Sequence, residues 1–488
     1  MRDRPGDTAP KFELLAREME QQIAAGVLRP GDRLPSVRQA CASRGLSPST
    51  VFKAYYLLES RGLVRAASRS GYFVAARPGG ARLPEPRASE PSGSGPVQVK
   101  DLIYSCLGSA RARDVVPFGS AFPSPTLFPL DRLRRALISS TRRLDPWSMA
   151  EDLPPGNLPL KREIAKRYLR QGLQVPVEEI VLTYGAMEAL TLCLHAVARA
   201  GDAVVVESPT FYMALQALQR LGMHAIEVPT DMHEGIDLAR LAEVIERHRP
   251  KACWLMTNFQ NPLGSLMPEA KKRDLVELLA RHDMPLIEDD VYAELYAGNV
   301  APLPAKAFDR RGLVLHCSSF SKCLAPGYRV GWAAPGRLTR EVERLKLMTT
   351  LSGSIPVQAA LAEYLQEGGY DRHLRGLRAS LQAQRDSMFD AVNRLFPDGT
   401  RVLQPAGGYF VWVELPAGVD AMALHGAAMA ERISLAPGPM FSARGEFRHH
   451  IRLTCGQPWD DSREHALRTL ARLVSDAPRV QPSAAAPI

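Results

Sequence analysis

The chain has 488 residues, of which 45% are hydrophobic and 23% charged, so it is long and apolar enough for several folded domains rather than a disordered polypeptide. No apolar run approaches the roughly 20 residues that a membrane span needs, and the first thirty residues lack the apolar core of a secretory signal. We therefore expect a cytoplasmic protein without a membrane partner. The seven cysteines show no metal-ligand spacing, and no metal site is expected.

The formal net charge of +9 is concentrated at the start of the chain. Residues 1–80 hold 13 Lys and Arg against 7 Asp and Glu, which is a net charge of +6. Such a concentration is the electrostatic footprint of a nucleic-acid contact, although an arginine-rich solvated surface would give the same count. Charge alone does not decide between these two interpretations.

The first residues of this basic segment have the pattern of a helix-turn-helix. Helical periodicity over 11–25 is followed by Ser36, which can cap a short helix that ends before Gly45. Either Ser47 or Ser49 can cap a second short helix. Two short helices joined by such a turn indicate a helix-turn-helix, although spacing alone identifies the motif only weakly.

A hairpin over 63–65 and 71–74 is predicted to follow as the wing of a winged helix. The run LPSVRQACASRGLSPSTVFKAYYLLESRGLVRAASRSGYFV resembles the GntR family of transcription regulators, and we expect this domain at residues 8–76. The resemblance implies that the second helix enters the major groove of double-stranded DNA. Pro48 stands where many relatives carry arginine, so sequence preference is expected to differ. The DNA-binding residues that we predict are Arg38, Ser47, Ser49, Thr50, Arg65, Arg69, Ser70 and Gly71.

Residues 77–96 contain five prolines, four glycines and three serines, with almost no large apolar side chain. Such a segment cannot bury enough surface to offset the loss of chain entropy. We therefore expect a linker over 77–100. The small and proline-bearing residues 477–488 predict a flexible tail.

Between 101 and 476, short β-branched runs alternate with amphipathic helices. This alternation predicts an α/β fold with a mostly parallel sheet, its large part at about 150–345 and a smaller α+β part at about 101–149 and 350–476. Ligands of such sheets lie beyond the carboxyl ends of the strands. The expected strands are 180–183, 203–207, 225–228, 252–257, 285–288 and 313–318.

One of these strands is followed by Ser318-Ser319-Phe320-Ser321-Lys322, with Arg329 seven residues further on. A site for pyridoxal 5'-phosphate needs this set of groups, because it requires an amine to form a Schiff base, and hydroxyl and guanidinium donors for a dianionic phosphate. Another strand ends in Asp289-Asp290, where a carboxylate can keep the pyridine nitrogen protonated. Strand alternation allows only one of these two aspartates to face the ring.

Together these stretches resemble the fold-type I aminotransferases. The resemblance implies that Lys322 forms the Schiff base and carries the proton in catalysis, while Asp289 pairs with the pyridinium nitrogen. It implies that Tyr292 and Asn261 donate to the phenolate oxygen of the ring, and that Arg452 binds the α-carboxylate of the substrate.

The strand-to-helix turn at 183–187 predicts the phosphate site, because backbone N–H groups at a helix start point at an anion. Phe211 matches the residue that stacks on the cofactor ring, and a plain core phenylalanine is the alternative. Glu151 stands where many relatives place a tyrosine that reaches the phosphate of the partner subunit. The predicted phosphate contacts are Gly185, Ala186, Met187, Ser319, Ser321 and Arg329.

A winged helix joined by a linker to an aminotransferase-like domain is similar to the MocR subgroup of the GntR family. We therefore expect a regulator that senses an amine, an amino acid or the cofactor itself, and that forms a head-to-tail homodimer. Two alternatives remain open. The chain can be a working aminotransferase that carries a DNA-binding module, or the cofactor can be only an effector.

Overall fold

A computed structural model of the chain describes residues 10–24, 27–28, 32–60, 63–67, 71–74, 114–148 and 153–478. The chain divides into two compact units, an N-terminal unit (residues 1–80) and a second unit (residues 81–488). The expected linker over 77–100 and most of the expected tail lie outside the described residues. No helix in the described part of the chain is long and apolar enough to cross a membrane.

The N-terminal unit is a winged helix, as predicted. In α2 a capping box begins the helix, since the Ser36 hydroxyl accepts from the Gln39 N–H at 3.3 Å and the Gln39 side chain accepts from the Ser36 N–H at 2.9 Å. Strands β1 and β2 pair antiparallel as the wing. The elements of this unit are α1 (Lys11–Ala24), α2 (Val37–Arg44), α3 (Pro48–Ser60), β1 (Val64–Ala67) and β2 (Gly71–Val74).

Of the two serines that could cap α3, the structure selects Ser47. Its hydroxyl accepts from the Thr50 N–H at 3.3 Å, and its carbonyl accepts from the Val51 N–H at 3.2 Å. Pro48 then occupies the first helical position, where its missing N–H costs nothing. The side chains of α3 that are spaced by three or four residues form the core of the unit, and they are Val51, Ala54, Tyr55 and Leu58.

In the described part of the second unit, eight strands form one sheet in the order β4–β11–β10–β9–β8–β5–β6–β7. The pairs from β10 through β6 are parallel, while β11 and β7 are antiparallel to their neighbours. The prediction of a mostly parallel sheet is therefore confirmed. The strands are β4 (Val181–Thr183), β5 (Ala203–Ser208), β6 (His224–Asp231), β7 (Gly235–Ile236), β8 (Ala252–Leu255), β9 (Leu286–Asp289), β10 (Val314–Ser319) and β11 (Gly331–Ala334).

The sequence-based list of strands omits β11. Its four residues are Gly331-Trp332-Ala333-Ala334, and glycine and alanine are depleted in strands, so no β-branched run marks it. The strand exists because it fills the position between β10 and β4. Helices around the sheet are α4 (Leu130–Arg142), α5 (Leu158–Arg170), α6 (Ala186–Val197), α7 (Tyr212–Arg220), α8 (Leu238–His248), α9 (Glu269–Arg281) and α10 (Thr339–Thr349).

A smaller sheet of the second unit has the strand order β12–β13–β16–β15. Strand β14 pairs instead with β3, so residues 116–117 join residues 433–434 across most of the chain. The remaining elements are β3 (Val116–Pro117), α11 (Ile355–Gln366), α12 (Gly369–Leu395), β12 (Arg401–Val402), β13 (Phe410–Glu414), α13 (Ala421–Ala430), β14 (Ile433–Ser434), β15 (Ala436–Pro437), β16 (His450–Thr454) and α14 (Asp461–Asp476).

Candidate functional site

A cavity of about 220 Å³ opens beyond the carboxyl ends of β9 and β10. Most of the predicted cofactor residues line it, although they come from widely separated parts of the sequence. Gly185 and Arg452 lie directly behind this lining. Gly185 lies against Arg329 and Arg452 donates to Asn261, and both Arg329 and Asn261 line the cavity. The predicted residues that line the cavity are Ala186, Met187, Phe211, Asn261, Asp289, Tyr292, Ser319, Ser321, Lys322 and Arg329.

Lys322 follows β10 and points its amine into the cavity. The Nζ atom donates to the Ala121 carbonyl at 2.8 Å and lies 4.0 Å from the centre of the Phe122 ring. Burial, assisted by the nearby Arg452 cation and opposed by Asp289, lowers the pKa of Lys322 to about 7. A large fraction of the amine is therefore uncharged near neutral pH, which is the form that attacks a carbonyl.

The two adjacent aspartates at the end of β9 face opposite sides of the sheet. Asp289 pairs in register with Cys317 and lines the cavity, and its Oδ1 has no hydrogen-bond partner among the described residues. Burial raises the pKa of Asp289 to about 7, with the neighbouring charge of Asp290 adding to the shift and Lys322 opposing it. Asp290 instead accepts from Asn258 and His316, each at 3.0 Å.

Gly185 and Arg329 form a cradle for an anion at the start of α6. Gly185 has φ +78° and caps the helix without a side-chain bond, so the first N–H groups of α6 stay available. A Cβ atom on Gly185 would lie 2.5 Å from a guanidinium nitrogen of Arg329, so a side chain at this position would displace that guanidinium. The same guanidinium donates to the Ser321 hydroxyl at 3.1 Å and to the Tyr184 carbonyl at 3.2 Å.

Arg452 is a fully buried cation held by neutral acceptors. It donates to the Asn261 side-chain oxygen at 2.9 Å and to the Gly119 carbonyl at 2.8 Å, while its Nε has no partner in the described part of the chain. The rings of Phe410 and Phe441 lie 4.2 and 5.2 Å from the guanidinium carbon. A buried charge without a counter-ion favours an anionic ligand.

These groups fit pyridoxal 5'-phosphate. Buried and unpartnered polar atoms of Asp289 and Asn261 belong to side chains that line the cavity, where a pyridinium nitrogen and a phenolate oxygen would satisfy them. The cradle at Gly185 and Arg329 offers N–H groups to a dianionic phosphate. Lys322 stands in the same cavity with the required amine.

Several residues of the site escaped the sequence analysis. Ala121 and Phe122 contact the lysine amine, and a Cβ atom on Gly331 would lie 2.5 Å from the Gly185 carbonyl carbon. Glu207 at the end of β5 accepts from the Met256 N–H at 3.0 Å, and burial raises its pKa to about 8. Of these residues, only Glu207 could have been found from the sequence, since it stands at the carboxyl end of an expected strand.

Three of the predicted DNA contacts, Arg38, Ser49 and Arg65, are exposed on the N-terminal unit. The Ser47 hydroxyl bonds the Thr50 hydroxyl at 2.8 Å. Gly71 begins β2 with φ +102°, whereas Arg69 and Ser70 lie outside the described residues.

The sequence analysis missed two aromatic side chains on α3. Phe52 is 41% exposed and Tyr56 58% exposed, and their rings are stacked with centres 6.2 Å apart. Together with Ser49 and the exposed Lys53, they form one face of the helix, because residues three and four apart share a side. This face could have been identified from the sequence, because it consists of the helical positions of α3 that do not pack into the core.

Fold and site together define a winged-helix DNA-binding unit combined with a fold-type I domain for pyridoxal 5'-phosphate. Residues 129–470 match the family "Aminotransferase class I and II", and residues 13–74 match "Bacterial regulatory proteins, gntR family". The chain therefore belongs to the MocR-type transcription regulators, which join these two families, and its cofactor is pyridoxal 5'-phosphate. The resemblance seen in the sequence is confirmed.

The similar proteins include regulators and aminotransferases. The chain is 46% identical to the uncharacterized HTH-type transcriptional regulator YdcR of Escherichia coli, over 96% of this chain and 99% of YdcR. It is 26% identical to the HTH-type transcriptional regulator NorG of Staphylococcus aureus, over 89% of this chain and 98% of NorG. The structure of the multiple substrate aminotransferase of Thermococcus profundus covers 78% of this chain and 96% of that chain, with a TM-score of 0.71 and 27% identity.

Two of the similar structures contain a form of the cofactor. The α-aminoadipate aminotransferase LysN of Thermus thermophilus, complexed with N-(5'-phosphopyridoxyl)-L-leucine, is 29% identical with a TM-score of 0.69, over 76% of this chain and 96% of that chain. The kynurenine aminotransferase of Pyrococcus horikoshii, in complex with PMP, has the same identity and TM-score, over 77% of this chain and 94% of that chain.

Proposed function

We propose that an amine or amino acid enters the cofactor cavity as an effector and thereby changes how the N-terminal unit binds promoter DNA in the cytoplasm. One observation supports this proposal above the others. The chain combines an exposed recognition helix with a cavity where a reactive amine, an unpartnered carboxylate oxygen and a buried guanidinium lie together. Binding that favours one conformation of the second unit shifts the population of DNA-binding states.

Each predicted residue has a role in this proposal. When bound, pyridoxal phosphate supplies a carbonyl that reacts with amines and a ring that accepts electrons. The Nζ atom of Lys322 would hold the cofactor by a bond to its carbonyl carbon. An effector amine would replace Lys322 at that carbon, and the released Lys322 amine would then carry a proton to or from it. Asp289 holds the proton on the ring nitrogen, and Tyr292 and Asn261 donate to the phenolate oxygen. Arg452 binds the effector carboxylate.

The phosphate end is held by the cradle. Backbone N–H groups of Ala186 and Met187 begin α6, and Ser319 and Ser321 line the same cavity with their hydroxyl groups as further donors. Arg329 contributes the charge. Met187 offers no side-chain donor, so its contribution is confined to the backbone.

DNA recognition is divided among the surface residues of the N-terminal unit. Arg38 and Arg65 contact phosphates and provide most of the affinity, together with Arg69 and Ser70 of the wing. Ser49 and Thr50 at the start of α3 read base edges in the major groove. The exposed ring of Phe52 is suited to apolar contact with a thymine methyl group.

We further propose that the protein is a head-to-tail homodimer. Support comes from the fold, because fold-type I aminotransferases are typically dimeric, and from the helix-turn-helix, since a two-fold dimer presents two recognition helices to paired half-sites. Sedimentation of the cofactor-bound protein at micromolar concentration is expected to give twice the mass of one chain. A monomer would contradict this proposal.

A catalytic aminotransferase remains the second candidate function. The observation that favours it is the Lys322 amine, whose pKa of about 7 suits proton transfer at neutral pH. A full reaction would convert an amino acid to a 2-oxo acid and leave the cofactor as its amine. Accumulation of pyridoxamine phosphate with an amino acid, and its reversal with a 2-oxo acid, would establish this activity.

DNA binding and effector binding can be measured on the same sample. Fluorescence anisotropy is recorded with the promoter fragment upstream of the gene and with a scrambled fragment, while the visible absorbance of the cofactor follows each added amine. We expect tighter binding to the promoter, and a change in that binding with an amine that also changes the absorbance. Equal affinity for both fragments, with and without every such amine, would contradict the regulator function.

A further inference from the structure

A buried chain of hydrogen-bonded side chains lies on the face of β9 and β10 that is turned away from the cofactor cavity. Register explains its position, because His316 pairs with Glu288 and faces away from Asp289, which pairs with Cys317. Every member is buried, and the six members come from six parts of the fold. In order along the chain of hydrogen bonds they are Trp332, Tyr168, His316, Asp290, Asn258 and Lys272.

The direction of each hydrogen bond follows from what each group can do. The Trp332 indole can only donate, and it donates to the Tyr168 oxygen at 2.8 Å. The Tyr168 O–H therefore points to His316 Nδ1 at 2.7 Å, which makes Nδ1 the acceptor. His316 then carries its proton on Nε2 and donates it to Asp290 Oδ2 at 3.0 Å.

The other end of the chain orients a second donor toward Asp290. The Lys272 ammonium donates to the Asn258 side-chain oxygen at 2.6 Å and to the Leu303 carbonyl at 2.7 Å. This fixes the Asn258 amide, whose nitrogen donates to Asp290 Oδ1 at 3.0 Å. Both carboxylate oxygens of Asp290 thus accept a hydrogen bond from an N–H group.

The charge of Asp290 acts on its neighbour Asp289. Both side chains are buried, and the like charge on the next residue of the chain raises the pKa of Asp289. Lys322 opposes this effect. The titratable groups close enough to Asp289 to influence it are Glu207, Asp290, Tyr292, His316, Cys317 and Lys322.

We propose that Tyr168 and His316 are positioning residues that hold the Asp290 carboxylate in place beside Asp289, so that its negative charge strengthens the hold of the site on the proton of the cofactor ring nitrogen. This inference rests on the proposed role of Asp289. It assigns a function to His316, Tyr168 and Asp290, whose side chains bond one another and their neighbours on the other face of the sheet and not the residues that line the cavity. The same chain connects α5 and β11 with the end of β9.

The test is the pH dependence of the visible absorbance of the lysine-bound cofactor. Asp290→Asn removes the charge and is expected to move the midpoint of this titration down by about one pH unit. Tyr168→Phe removes the O–H that donates to His316 Nδ1, and with it the hydrogen bond that orients the His316 ring toward Asp290. We expect a smaller downward shift for this variant, which also carries the test if Asp290→Asn does not fold.

Thr257→Val is the matched control. Its hydroxyl is buried and donates to Glu288 at 2.5 Å, so the variant loses a buried hydrogen bond of another carboxylate and should keep the wild-type midpoint. Unchanged midpoints in both variants of the chain, with a normal absorbance band, would overturn this inference alone. If borohydride reduction of the wild-type protein labelled a lysine other than Lys322, the site assignment and the inference would both be wrong.

Discussion

At the scale of single residues, the site is defined by an amine and a carboxyl group whose pKa values are moved toward each other. Burial lowers the pKa of Lys322 to about 7 and raises that of Asp289 to about 7, because each loses solvation of its charged form. Each also stabilises the charge of the other. The two groups are therefore suited to exchange protons with a bound ligand near neutral pH.

The lowered pKa of Lys322 predicts how cofactor attachment depends on pH. Only the uncharged amine attacks the carbonyl, so the attachment rate should rise between pH 6 and pH 8 and then level off, since the pKa is about 7. Rapid mixing of cofactor-free protein with pyridoxal phosphate, followed by visible absorbance, measures this rate. Lys322→Ala should show no attachment, and Lys306→Met should behave as wild type. A rate that still rises at about pH 10, as for a solvated lysine, would contradict the prediction.

Asp289 and Asp290 should differ in their effect on cofactor affinity. Asp289→Asn is expected to weaken binding about tenfold or more, because a neutral amide cannot pair with the pyridinium nitrogen. Asp290→Asn should weaken it less, since this side chain bonds Asn258 and His316 on the other face. Equilibrium dialysis of the cofactor measures both affinities. A reversed order would show that the strand faces the other way.

The motif residues of the site could be predicted because each stands at a strand end beside recognisable neighbours. Arg452 and Asp289 belong to this group. Ala121 could not be predicted, since its carbonyl meets the Lys322 amine across 201 residues of sequence. No local pattern marks a backbone carbonyl that a distant fold element brings into a cavity.

At the scale of elements, the turn between β4 and α6 depends on two glycines at a close approach. A Cβ atom on Gly331 of β11 would lie 2.5 Å from the Gly185 carbonyl carbon, and one on Gly185 would meet Arg329. The antiparallel β11 therefore brings the cradle and the start of α6 together. This explains why a strand with weak β-propensity is part of the site.

Gly185→Ala should weaken cofactor binding about tenfold or more, because the new methyl group displaces the guanidinium from the phosphate position. Gly201→Ala is the matched control. Gly201 also has a positive φ, +89°, but nothing lies within 4 Å of an added Cβ atom. Both variants carry the backbone strain of a left-handed residue, and only Gly185→Ala loses affinity in equilibrium dialysis. Equal losses would show that strain, and not the contact with Arg329, is responsible.

Regular elements could be predicted where hydrophobic periodicity marks them. The parallel strands are short and mostly apolar runs, and the capped helices of the N-terminal unit begin at hydroxyl residues. The choice of Ser47 over Ser49 was open, since either can cap a helix and the outcome depends on the backbone turn after Gly45. The position of β11 was missed because pairing with β4 and β10, and not local propensity, creates it.

At the scale of the whole molecule, the basic charge is concentrated in the N-terminal unit and the cofactor cavity lies in the second unit. Substitutions in the N-terminal unit are therefore predicted to change DNA binding and to leave the cofactor site unchanged. Arg38→Ala should weaken binding to every DNA sequence and reduce the slope of affinity against salt by about one. Ser49→Ala should lower the ratio of specific to nonspecific affinity with the slope nearly unchanged. Fluorescence anisotropy at several salt concentrations measures both quantities.

Arg340→Ala provides the control for charge alone, because Arg340 is an exposed arginine of the second unit. It should leave both the salt slope and the specificity ratio unchanged. The visible absorbance of the cofactor should be the same in all three variants. If Arg38→Ala left the salt slope unchanged, the assignment of Arg38 to a DNA phosphate would be wrong.

The two-part organisation could be predicted from composition, since the basic segment and the proline-rich stretch differ so much from the remainder of the chain. The arrangement of the cavity could be predicted only in outline. Strand order places the carboxyl ends of β9 and β10 side by side, but the sequence carries no information on which loop of the smaller part closes over them.

The carbonyls of Gly119, Ser120 and Ala121 bond the two cations that an amino-acid effector and the cofactor require. The carbonyls of residues 119–121 thus compete with bound ligands for the Arg452 and Lys322 side chains. A carboxylate that bonds the Nη2 atom of Arg452 would compete with the Gly119 and Ser120 carbonyls, and attachment of the cofactor would withdraw the Lys322 amine from Ala121. Ligand entry would therefore remove hydrogen bonds that hold residues 119–121 to the site. An effector that lacks a carboxylate would leave the bonds to Arg452 in place.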